Sequence, residues 1–159
     1  MPVEEILRLV HVLGATVLFG TGAGIAFFMA MAERTRNPAI IAHVAGVVVI
    51  ADTVFTATAV VLQPLTGYGL ARLLGWPMTE GWLVLSLVLY VVTGLFWLPV
   101  VWIQLRLRDL ARQAASDGTP LPPAFDRLYR IWFVCGFPAF FAVIAIFWLM
   151  LSKPQIPLF

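Results

Sequence analysis

Charge is scarce in this chain. Asp, Glu, Lys and Arg make up 11% of its 159 residues, where soluble domains carry about a quarter, so a water-facing surface on every side is excluded. Cysteine occurs once, at Cys135, which rules out an internal disulfide and any Cys-x-x-Cys metal or redox motif. Histidine is confined to His11 and His43, and lysine to Lys153. No Ser/His/Asp order, paired-carboxylate site or Gly-rich phosphate loop is present, so hydrolase chemistry has no support and no catalytic residue is assigned. The net charge of +2 and pI near 9.1 come from arginines at helix ends, where they meet headgroups or set topology, so nucleic acid is not an expected partner.

What is present is apolar: 62% hydrophobic residues and a mean hydropathy of +0.97. A tilted spanning helix needs about 20 to 25 residues, and four apolar runs of that length fill the chain. The expected spans are 6–32, 38–63, 82–105 and 128–151, forming one membrane domain over residues 1–159. The expected fold is all-α, a four-helix transmembrane bundle. Its lipid bilayer is the first partner. Glu33 to Pro38 reads as a turn whose proline suits the first position of the next helix. Gln63-Pro64 is expected to end the second span, with Gly67 to Trp76 lying flat as a short amphipathic segment. Residues 106–130, with Ser116-Asp117-Gly118 and Pro120, Pro122 and Pro123, read as a solvated loop. Ala30-Met31-Ala32 mimics a signal-peptide cleavage site, but the apolar run before it far exceeds the roughly 7 to 15 residues of such a peptide. The first span is expected to stay.

Positive residues near helix ends are retained in the cytoplasm. Arg34 and Arg36 fall in the first connection, and Arg106, Arg108, Arg112, Arg127 and Arg130 in the third, seven of the ten basic residues. Loops 33–37 and 106–130 are therefore expected to be cytoplasmic, giving an N-out, C-out topology.

Within the spans stand a few residues costly to place in hydrocarbon. Asp52 is followed by Thr56, Ala59 and Gln63 at helical spacing, a polar and small stripe that must face protein. An acid near a helix centre costs about 2.5 to 3.5 kcal/mol on insertion scales, so Asp52 is either an interhelical tie or a proton or ligand contact. Ser86, Tyr90, Thr93, Trp97 and Gln104 mark one face of the third span, which reads as hydrogen-bonded packing or as the lining of a polar site. Counted from the helix ends, His11 and Asp52 fall at similar depth in the outer half, so a His11–Asp52 hydrogen bond is expected. Imidazole is a common haem and copper ligand, making His11 the candidate metal ligand. Met150 is the other soft ligand near that level, and Arg8, Arg72 or Lys153 are available for propionates. His43 starts the second span at the opposite end, so two histidines on one iron are not expected. Gly14, Gly20, Gly22 and Gly24 are expected to pack tightly against a neighbouring helix.

The opening Leu9-Val10-His11-Val12-Leu13-Gly14-Ala15-Thr16-Val17-Leu18-Phe19-Gly20-Thr21-Gly22 resembles that of a bacterial family of four-helix predicted integral membrane proteins of unknown function. Ala51-Asp52 to Phe55-Thr56, Gln63 to Gly67, Trp97 to Gln104 and Phe147 to Lys153-Pro154 resemble it too, so the likeness runs the full length. It implies a bacterial cytoplasmic membrane location and carries no activity. The same opening is more loosely similar to copper-resistance D proteins and to HemJ-type protoporphyrinogen oxidases. In the latter the early histidine serves haem binding, which implies that role for His11, although the chain has no intramembrane lysine. Three readings stay open. One is a haem-b-binding or redox-associated protein with His11 as ligand and Asp52 orienting it. Another is a non-catalytic accessory subunit of a larger membrane complex. The third is transport of a proton, metal ion or small solute along Asp52, Tyr90 and Gln104, in a homo-oligomer.

Overall fold

The computed structural model describes residues 2–157 and is helical throughout its ordered elements. Helix α1 spans Val3–Arg34, α2 Pro38–Ala51, α3 Ala57–Leu73, α4 Gly81–Asp117 and α5 Pro123–Ser152. A single π-helical turn, Asp52–Thr56, joins α2 to α3, so the two run on as one helix. Among the described residues, four helices, α1, the α2–α3 continuum, α4 and α5, are long and apolar enough to cross a membrane.

Local chemistry explains the ends. The Asn37 side chain accepts hydrogen bonds from the Ala39 and Ile40 amides at 2.9 and 3.3 Å, and Pro38 takes the first helical position, where a missing N–H costs nothing. Gly118 at φ 64° closes α4 in the left-handed conformation that glycine adopts most readily. Only residues 118–122 separate α4 from α5. The expected 106–130 loop is thus mostly helix: arginine, leucine and alanine are good helix formers once outside hydrocarbon, and the break waits for glycine and proline.

Two other expectations are corrected. Pro64 lies inside α3 without ending it, so Gly67 to Leu73 forms the last turns of a spanning helix instead of a separate flat segment. The glycines of α1 also divide. Gly14 abuts the Gln63 amide, whereas Gly20 and Gly22 meet nothing and Gly24 meets only Phe28 of its own helix. The close approach comes instead from α3, where Gly67 admits the His11 ring and Gly69 the Leu7 side chain.

The α2–α3 helix is the centre of the bundle. It packs against α1 along its length, α2 also packs against α4, and α4 pairs with α5. α1 and α5 meet through Phe19, stacked 5.2 Å from Phe140 and tilted against Phe147 at 5.6 Å. At the arginine-rich end, Met29, Ile41, Leu107 and Phe125 form the fully buried heart of an apolar cluster. Arg36 ties this end together, its guanidinium meeting both Asp126 oxygens at 2.7 and 3.3 Å and Glu33 at 2.7 Å. The Asp126 carboxylate first, and Glu33 after it, hold Arg36 charged well above the usual arginine range. At the opposite end Ala71, Trp82, Leu83 and Leu149 form a second cluster. Lys153 lies 5.3 Å from the Trp76 ring and 5.9 Å from the Trp82 ring, and Ile156 crosses Gly81 so closely that no Cβ fits there.

Candidate functional site

The stripe of the central helix is buried as its spacing requires: Asp52, Thr56, Ala59, Gln63 and Thr66 all face the bundle. The wide π-turn keeps the successive four-residue steps from Val48 to Asp52 to Thr56 on one face, and such turns recur at functional sites. Asp52 is 5% exposed. Its Oδ1 accepts a hydrogen bond from Trp97 Nε1 at 3.2 Å. Among the described ion pairs none involves Asp52. Thr56 Oγ1, one turn along, is buried and unpartnered.

Further along the same face the Tyr90 hydroxyl donates to the Val60 carbonyl. Proline at position 64 lacks the N–H that would reach this carbonyl from four residues on, so the tyrosine replaces the missing donor. This explains why the helix continues through Pro64. Tyr90→Phe is expected to destabilise the fold by about 1 kcal/mol. In a Pro64→Ala background, where the substitution restores the backbone donor, that loss should shrink. Unfolding of the two single variants and the double variant checks it, and equal losses in both backgrounds contradict it.

Beyond Tyr90 lies a second polar group. His11 Nδ1 is 2.8 Å from Thr66 Oγ1, and that hydroxyl is 2.7 Å from the Leu62 carbonyl and 3.3 Å from that of Gln63. With the threonine proton on the Leu62 carbonyl, the oxygen accepts from His11 and Nδ1 carries hydrogen. A neutral His11 then keeps its lone pair on Nε2. Gln63 Nε2 donates to the His11 carbonyl at 2.8 Å, which locks this level of α1 to α3.

The expected His11–Asp52 bond is not formed. His11 pairs with Thr66, fourteen residues beyond Asp52, so at 1.5 Å per residue about 20 Å of helix separates them. Counted from the cytoplasmic end of a span expected to cover 38–63, Asp52 fell beyond the bilayer centre and so near the His11 level. Because the helix runs on to Leu73, Asp52 lies nearer the arginine-rich end.

Residues 5–154 match the family described as "Predicted integral membrane protein (DUF2269)". The chain belongs to the DUF2269 family. No curated protein and no solved structure matches it.

In this DUF2269 member the sequence-derived candidates thus fall into separate groups. Asp52, Thr56 and Trp97 gather at the π-turn, Tyr90 bridges α4 to α3, and His11 and Gln63 sit with Thr66 at the next level. Thr93 and Ser86 turn back to carbonyls of their own helix, Leu89 and Trp82. Gln104 is 2% exposed with its Nε2 unpartnered. Met150 packs with the cluster of Ala71, Trp82, Leu83 and Leu149. Of the cations expected near propionates, Arg8 pairs with Glu4 of its own helix and Lys153 lies over two tryptophans. No group of three or more His, Cys, Asp or Glu among the described residues could hold a metal ion. Thr66 and Gly67 escaped the sequence reading as site residues, although Thr66 stands three residues after Gln63 on the same face.

Proposed function

We propose that this membrane protein transfers protons through the bilayer, with Asp52 as the protonatable group. The observation that carries the reading is a carboxyl 5% exposed at a π-turn in the central spanning helix, with an indole donor and no cation. Hydrocarbon admits the neutral acid far more readily than the anion, and acids so placed serve as relays in pumps and transporters. Thr56 on the central helix, Tyr90 on α4 and His11 on α1 stand at successive levels away from it. The arginine-rich connections face the cytoplasm under this reading, as the retention of positive loops requires, and a second copy supplies further walls to the path. Proton uptake by liposomes holding the purified protein, driven by a potassium diffusion potential and read with an internal pH dye, tests it. Uptake faster than in protein-free liposomes supports the proposal, and uptake at their rate overturns it.

A second reading rests on the free Nε2 of His11. An imidazole whose other nitrogen donates to an oxygen is oriented as metal-binding histidines are, so His11 fits as one axial ligand of a b-type haem, with no second ligand gathered beside it. Protein purified from a haem-competent host should then show a Soret band that His11→Ala removes. A colourless preparation contradicts this reading.

A further inference from the structure

Gln104 is the most deeply buried polar side chain of the spanning helices, and its amide nitrogen has no partner in the fold. It follows Trp97, the donor to Asp52, by seven residues, two turns along the same face of α4 and about 10 Å of rise. Helical side chains lean toward the N-terminus of their own helix. α4 runs toward the arginine-rich end and α2 away from it, so Gln104 leans toward Asp52 while Asp52 leans toward Gln104. Asp52 Oδ1 accepts from Trp97, and the buried Thr56 hydroxyl stands beside the same carboxyl. Two hydrogen bonds through one water span about 5.5 Å, so a bridging water shortens the gap that the two side chains have to close. An amide N–H needs an acceptor, which water provides and a metal cation does not.

We propose that Gln104, Asp52 and Thr56 form a buried water-binding site through which Asp52 exchanges its proton. The proposal rests on Asp52 being the protonatable group and adds a positioning residue, Gln104. The test is infrared spectroscopy of the reconstituted full chain, following the Asp52 carboxylic C=O band, assigned by its loss in Asp52→Asn, after transfer to heavy water. In Gln104→Met, deuterium exchange of that band is expected to slow about tenfold, the equivalent of one lost hydrogen bond. Gln104→Asn, which keeps the amide, should restore it, and Thr66→Val at the far level should leave it unchanged. A merely structural role for Gln104 would not give this order. Wild-type exchange rates in Gln104→Met overturn the water site and leave the Asp52 reading intact. Should Gln104→Met not fold, Gln104→Thr must show the same slowing, and normal exchange in it overturns the proposal. Absence of the band in the wild-type chain overturns the Asp52 reading, and the water site with it.

Discussion

Proton uptake into liposomes carrying the Asp52→Asn variant is expected to fall by about a hundredfold or more, the contribution of a positioned acid or base. Asparagine matches aspartate in shape, and its side-chain oxygen can still accept from Trp97 Nε1, 3.2 Å away in the wild type. The substitution therefore removes the titratable proton while keeping the packing of the π-turn. Removing the donor instead, with Trp97→Phe, leaves the carboxyl in place and should slow uptake by about tenfold, the kinetic equivalent of one hydrogen bond. The order of wild type, then Trp97→Phe, then Asp52→Asn separates a proton carrier from an interhelical tie. A tie would show unchanged flux and reduced stability in both variants. Uptake in Asp52→Asn equal to wild type would contradict the assignment.

The largest stability effect is expected away from the site, at Phe125. Its side chain is fully buried, stacked on Tyr129 with ring centroids 6.3 Å apart and planes 6° from parallel. It stands in the first turn of α5, outside the Arg130 level and beside Leu107 and Ala111 of the inner cluster. In that hairpin the alternative environment is water or headgroup instead of lipid tails, so the cost of a core deletion in a soluble protein applies. Phe125→Ala is expected to destabilise by about 3 to 5 kcal/mol, and the better-filled Phe125→Leu by less, with the difference set by the cavity left behind. Denaturant unfolding in mild detergent measures both. A loss below about 1 kcal/mol for Phe125→Ala would mean that the end of the hairpin folds independently of the spans.

The four spans were legible because hydrocarbon demands long apolar helices with every backbone group paired, a demand written directly in composition. The inward stripe of Asp52, Thr56 and Gln63 was legible for the same reason, since such residues have no tolerable place against lipid. What could not be read was register. Pro64 looks like a helix end, and only the Tyr90 hydroxyl on another helix supplies the donor that the proline lacks. That one contact extends the central helix to Leu73 and moves Asp52 about 20 Å from the level of His11. The pairing of His11 with Thr66 then follows from Gly67, whose missing Cβ makes room for the imidazole, but a glycine in a sequence does not say which neighbour approaches it. The long α4 was hidden by its arginines, which mark the edge of the membrane without ending a helix.

Infrared spectra of the wild-type chain and of Asp52→Asn in lipid bilayers test the central claim most directly. A buried carboxyl that carries a proton gives a carboxylic C=O band present in the wild type, shifted in heavy water and absent from the variant. Two spectra without such a difference, with Asp52 a permanent carboxylate, would contradict proton transfer through this residue.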